Sequence, residues 1–188
     1  MATRDQIRHD AESALRDTEV LRREIMEFGE LQTLESALSQ LELPAADALS
    51  EFMARATELI ARISEALQAL REQPGQFREP ENAFALTTLA QELKAQLEWL
   101  ESLLAYLEDM AAGPAAWPRG VAVQVSAAVG ATRAKLTGYL IPLFKRFLSK
   151  LWSLISGLLT PKEWKLKGQL GTGLLGLASV EVEISFGP

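Results

Sequence analysis

Hydrophobic and polar positions alternate with a helical period over most of this chain. Ile7, Ala11, Ala14, Thr18, Leu21, Ile25 and Phe28 follow an unbroken 4-3-4-3 spacing. Such spacing gathers seven side chains into one stripe, because 3.5 residues is close to one helical turn. Gly29 suits either the end of this helix or a tolerated interior position. Leu31, Leu34, Leu38 and Leu41 continue the pattern in a shifted phase until Leu43-Pro44 interrupts it.

A second helix is marked from Pro44, with its start near Asp47. Its stripe runs through Leu49, Phe52, Ala56, Leu59, Ile63, Ala66 and Leu70. Residues 71–82 read as a loop, with Pro-Gly at 74–75 and Pro80 before the next start. The third helix carries Leu86, Ala90, Leu93, Leu97, Leu100, Leu104, Leu107 and Ala111, and residues 112–120 then break helix firmly.

The segment 121–159 differs in character. Val121, Val123 and Val125 alternate, which admits a short strand. From Ser126 onward a helix is expected, with Val129, Thr132, Leu136, Tyr139, Leu143, Phe147, Leu151, Leu154 and Leu158 on one side and a kink at Pro142. Beyond Pro161 the period becomes two. Trp164, Leu166, Gly168 and Leu170 alternate with Lys165, Lys167 and Gln169, and Val180, Val182, Ile184 and Phe186 alternate with Glu181, Glu183 and Ser185. Folded back about Leu174, Lys165 would face Glu183 and Lys167 would face Glu181, the register of an antiparallel hairpin.

The fold class expected is therefore mainly α, with long amphipathic helices in a bundle or coiled coil and a C-terminal antiparallel β-hairpin. It divides the chain into an acidic helical region at 1–112, a Pro/Gly linker at 113–120, a basic amphipathic helix at 121–160 and a glycine-rich hairpin at 161–188. Heptad spacing alone does not separate helices packed within one chain from helices packed between copies.

Charge sharpens this division. Residues 1–110 hold 10 Lys/Arg against 22 Asp/Glu, whereas residues 111–188 hold 9 against 3, within a net charge of −6. An acidic body joined to a basic tail can pair with itself, with a second copy or with an anionic partner. With 48% apolar and 23% charged residues, the composition is that of a folded domain. The absence of cysteine excludes disulfides and thiol chemistry.

The first residues mix both charge signs without an apolar run, so no secretory signal is expected. The uncharged stretches Gly120–Thr132, Leu136–Phe144 and Leu151–Pro161 of the apolar half are 13, 9 and 11 residues long. A membrane span needs roughly 18 or more. The location expected is cytoplasmic, or peripheral on a membrane.

Chemistry-bearing motifs are sparse. GTGLLG at Gly171–Gly176 matches a dinucleotide-binding pattern in letters only, since a strand pattern rather than a helix follows it. His9, the one histidine, has Asp5 four residues earlier, too few ligands for zinc and too little for a His-based triad. Glu98, Glu101, Glu108 and Asp109 follow helix-surface spacing. No enzyme class, catalytic residue, metal, cofactor or small-molecule substrate is expected, and the acidic body disfavours nucleic acid.

The candidate membrane- or partner-binding residues are Phe144, Lys145, Arg146, Phe147, Lys150, Trp152 and Trp164. Lys165, Lys167, Glu181 and Glu183 define the hairpin register. Function is expected to be that of a non-enzymatic helical scaffold, assembling with itself or a protein partner through its basic tail. The alternative is a membrane-active effector whose cationic, aromatic-rich helix and hairpin insert into an anionic bilayer on triggering.

Overall fold

The computed structural model describes residues 2–75, 80–114 and 117–158. Helix α1 spans Arg4–Met26 and opens on Thr3, whose side chain accepts the Gln6 amide at 3.2 Å while Asp5 sits in the first turn. Both features offset unpaired amides and the positive dipole end of the helix. The chain breaks at Glu27-Phe28, and α2 (Gly29–Gln40) begins at the glycine whose role the sequence left open. The break shifts the helical phase so that Phe28 and Leu31, three residues apart across it, are both fully buried.

The turn from α2 into α3 (Pro44–Glu72) is built from two carbonyl caps. Leu43 N–H donates to Leu38 O at 3.2 Å, and Glu42 N–H donates to Ser39 O at 3.0 Å. This pairing places residue 42 in the left-handed region, and Glu42 adopts φ 54° where glycine is usual. Pro44 then starts α3 in its first turn, where a missing amide breaks no intrahelical bond and the fixed φ suits the helix.

Helix α4 covers Pro80–Ala112 and α5 covers Arg119–Lys135. A single π turn, Leu136–Leu140, links α5 to α6 (Ile141–Leu158) without interrupting the long helix. The strand admitted at Val121–Val125 is corrected to helix. Val121, Val125 and Val129 stand four residues apart on one inward side, while Val123 points outward and is 63% exposed. The expected kink at Pro142 takes the form of this π turn. Proline has no amide to continue the ladder, and Ile141 N–H instead reaches back five residues to Leu136 O. The extra residue in that turn carries Tyr139 out of the expected stripe to 44% exposure and puts Leu140 into the core.

The helices form an up-down-up-down bundle of four rods: α1–α2, α3, α4 and α5–α6. Antiparallel neighbours are fixed by Ser64 donating to Thr18 (3.0 Å), Arg55 to Glu92 (2.8 Å), Arg133 to Glu108, and Ala2 N–H to Gly157 O (3.4 Å). Around the square, α1 and α2 pack on α3, α3 on α4, α4 on α5 and α6, and α6 and α5 close back onto α1 and α2. One apolar core runs through all four rods, from Ile7 and Leu70 to Leu107 and Leu158. Thr18, Thr87 and Thr132 are buried in it, and each hydroxyl donates to a carbonyl one turn back. That local bond removes the cost of a buried unpaired hydroxyl and explains how threonine fits an apolar stripe.

The expected fold class is corrected to all-α, because the described residues are overwhelmingly helical and contain no strand. The hairpin assigned to 161–188, with its register residues, lies outside the described residues.

Candidate interaction surface

The apolar face of α6 is spent inside the bundle. Phe144 and Phe147 are fully buried, with ring centroids 6.2 Å apart and planes tilted by 33°. Leu143, Leu148, Leu151, Leu154, Ile155 and Leu158 share that burial, and Trp152 packs half-buried at its margin. Lys145, Arg146 and Lys150 lie on the outer side of the helix. Trp164, Lys165, Lys167, Glu181 and Glu183 lie outside the described residues.

Among the described residues, Lys150, Lys135 and Arg133 join the basic half to the acidic half. Lys150 Nζ stands 2.8 Å from Asp17 Oδ2 on α1, an ion pair whose angle falls outside hydrogen-bond geometry. The Asp17 side chain is only 17% exposed, and the ammonium stands where little water reaches it. Lys135, at the end of α5, sits 3.7 Å from both Glu24 on α1 and Glu30 on α2. Its ammonium also lies 5.2 Å from the centroid of Phe28, so one cation bridges the break between those two helices. Arg133 pairs with Glu108 on α4. The sequence reading did not single out Arg133 or Lys135, whose partners are 25 to more than 100 positions away.

A different surface remains open between α3 and α4. Ala48, Glu51, Phe52, Arg55, Gln96 and Trp99 line a shallow groove of about 310 Å³. Its floor is the Phe52–Trp99 pair, stacked with centroids 6.1 Å apart and planes 22° from parallel. Phe52 is buried beneath Trp99, which keeps 38% of its surface exposed. Further along α4 the apolar line continues through half-buried Leu103 to Tyr106, which is 58% exposed. Arg55 lines the groove, but its guanidinium donates to Glu58 at 3.1 Å and to Glu92 at 2.8 Å. Glu51 has no ion-pair partner among the described residues, and neither does exposed Asp47 one turn earlier. The groove is thus aromatic at its floor and acidic at its rim.

The signal for this surface was present in the sequence. Trp99, Leu103, Tyr106 and Met110 follow 4-3-4 spacing beside the core stripe of Leu97, Leu100, Leu104 and Leu107. A helix with two apolar stripes has more apolar surface than one core contact consumes. Other openings carry less. The cleft along α2 is polar, lined by Gln32, Glu35, Ser36, Ser39 and Gln40. The outer side of α5 offers Ala122, Val123, Ser126 and Ala127 beside Ala111 and Arg119, mostly small side chains with little to grip.

Among the described residues, no three His, Cys, Asp or Glu side chains converge on a point that would hold a metal ion, and His9 is exposed. No helix among them is long and apolar enough to cross a membrane. Comparison with protein-family models, with curated proteins and with solved structures finds no match for this chain.

Proposed function

We propose that this chain is a non-enzymatic helical interaction module: a helical bundle that assembles with a second copy or a protein partner through its basic C-terminal part, from α5 onward. The observation that carries this reading is where the apolar stripes go. Ile7 to Leu38, Leu49 to Leu70, Leu86 to Leu107 and Leu136 to Leu158 are all covered within one chain. Coiled-coil pairing between copies through those stripes would require opening the core. Among the described residues, contacts with other molecules then fall to surfaces the bundle leaves uncovered, such as the α3–α4 groove, and the sequence adds the chain beyond Leu158 as a candidate.

That terminal stretch supports the reading by composition. It sets Lys162, Lys165 and Lys167 beside Trp164, Leu166 and Leu170, and balances them with Glu163, Glu181 and Glu183, so charges of both signs accompany its apolar anchors. Amphipathic segments of this kind gain affinity from buried apolar side chains and orientation from their charges.

Insertion of α6 into a bilayer is the weaker reading. Withdrawing Phe144, Phe147 and their leucine neighbours would sacrifice roughly 2–3 kcal/mol of burial for each large side chain. Light scattering over a range of concentrations, comparing the full chain with one ending at Leu158, tests the proposal. Association that depends on the last thirty residues is the expected result. Monomers at every concentration, together with no capture of a partner by the full chain, would sink it. Flotation of both chains with anionic vesicles separates the two readings, since a bundle that keeps α6 buried stays with the soluble fraction.

A further inference from the structure

We infer that α5 is a hinged cover over a helix-binding groove between α2 and α4, and that this groove receives a cationic amphipathic helix from a partner protein when α5 swings away. The inference rests on the reading that the chain from α5 onward makes its contacts, and it names how α5 takes part.

The seat fits a helix, since one already lies in it. Helix α5 packs on α2 along one side and on α4 along the other. Those two helices bring large apolar side chains to the core, Leu31, Leu34 and Leu38 on α2 and Leu104 and Leu107 near the end of α4, all fully buried. Against them α5 buries only Val125, Val129 and Thr132. Burial free energy follows apolar area, so α5 holds its place less firmly than a helix with larger apolar side chains would. Gly130, in the middle of α5, weakens the helix further.

The groove also selects charge. Helix α5 carries Arg119, Arg133 and Lys135 and no acid. Arg133 pairs with Glu108 on α4, and the Lys135 ammonium lies 3.7 Å from both Glu24 and Glu30. The Lys135 and Glu24 side chains are 24% and 21% exposed, so this pair sits partly out of water, where losing the partner costs more than on open surface. Departure of α5 therefore leaves three carboxylates beside an apolar groove. A helix that restores both the apolar fill and the positive charge is the ligand such a groove favours.

The hinge lies at the C-terminal end of α5. There the π turn Leu136–Leu140 widens the helical ladder, a feature that recurs at functional sites. On the facing rod α1 and α2 part at Glu27-Phe28, at the level where Lys135 meets Glu24, Glu30 and the Phe28 ring. Two breaks thus stand side by side, latched by one ammonium. At its other end α5 starts after Pro118 without a side-chain cap. Beyond the π turn, α6 is held by nine buried apolar side chains. Rotation about the π turn frees α5 while α6 stays in the core.

The full chain carries the test, and the probe is a fluorescein-labelled peptide of residues 119–135, a helix already seen in the seat. Val129→Asp places a charge where α5 is buried and should evict it, while Leu151→Asp does the same to α6. The Val129→Asp chain should still melt cooperatively and lose no more helical circular dichroism than the 17 residues of α5 account for, whereas Leu151→Asp should unfold the chain. By fluorescence anisotropy the peptide should bind Val129→Asp about tenfold more tightly than the unaltered chain, in which α5 competes at high effective concentration. A peptide carrying Arg133→Glu and Lys135→Glu should bind about fivefold more weakly, the effect of one well-formed ion pair. A second measurement evicts nothing. Val125→Cys gives a single buried thiol, because the chain has no cysteine of its own. Excess peptide should speed labelling of that thiol several-fold, and should leave unchanged a thiol introduced instead by Leu154→Cys on α6.

A peptide that leaves labelling at Val125→Cys unchanged, or that speeds it at Val125→Cys and Leu154→Cys alike, overturns the cover. Equal binding of the native and charge-reversed peptides overturns the cationic ligand. A folded Val129→Asp chain that binds no peptide also overturns the inference, and if it dimerises the groove belongs to a second copy. Should Val129→Asp unfold outright, the labelling decides. If the inference fails while light scattering still shows association dependent on the last thirty residues, the interaction function stands. If that association and partner capture are absent as well, both fail.

Discussion

Helices α5 and α6 are halves of one continuous rod, nearly equal in length, yet they hold the bundle very differently. Over 17 residues α5 buries only Val125, Val129 and Thr132. Over 18 residues α6 buries nine large apolar side chains, including Phe144 and Phe147. Apolar burial is worth about 25 cal/mol per Å², so the difference in side-chain size becomes a difference in local stability. The π turn before Pro142 marks the change. The rod is anchored at its C-terminal half, while its N-terminal half rests on small side chains and on the Arg133 and Lys135 ion pairs.

The largest test of this contrast is a pair of truncations in the core. Phe147→Ala should cost about 3–5 kcal/mol in urea unfolding, because it empties a fully buried aromatic position in the core. Val129→Ala should cost roughly 1–2 kcal/mol by the same mechanism acting on fewer atoms. Similar losses at the two positions would break the comparison. Native-state hydrogen exchange sharpens it further: amides of 121–133 should exchange through local opening, and those of 144–156 only through global unfolding.

Next in size is the ion pair that ties α6 to α1. Lys150→Met should cost about 1–2 kcal/mol, more than an exposed pair, because it strands the mostly buried Asp17 carboxylate. The double change Lys150→Met with Asp17→Leu should recover most of that loss. Failure to recover would place the role of Lys150 elsewhere.

A smaller effect of opposite sign is expected on α5. A methyl group added at Gly130 meets no atom within 4 Å, and the position is exposed and helical. Gly130→Ala should therefore stabilise by about 0.5–1 kcal/mol and slow exchange in α5. The smallest effect belongs to Tyr139. Turned outward by the π turn, its replacement by Ala should change stability by no more than about 0.5 kcal/mol, whereas a residue in the core stripe would lose several times that.

The helical rods were legible in the sequence because the 4-3 spacing is a local property that any one rod must satisfy. Every position of the first stripe, from Ile7 to Phe28, is buried as the spacing implies. In α3, Leu67 occupies the core where the even spacing favoured Ala66, since a 3.6-residue helix drifts relative to a 3.5-residue pattern. Alternating valines at 121–125 misled because three residues fit either period, and length alone could not arbitrate. Of the candidate site, the positions of Phe144, Phe147 and Lys150 on α6 were legible. For the groove, the sequence carried the second apolar stripe of α4 from Trp99 to Met110, but not its pairing with Phe52, which needs two helices brought face to face.

By itself the sequence determined where the helices lie, which side of each is apolar, and that an acidic body carries a basic end. These follow from periodicity and composition, which are fixed by neighbours a few positions apart. Only the tertiary structure decided that the stripes close on one another within a single chain. It also decided that Lys135 and Lys150 face Glu24, Glu30 and Asp17, and that an aromatic stack stays open between α3 and α4. The reason is geometric. Which faces meet depends on the order and crossing of four rods, and no single helix records the partner that covers it.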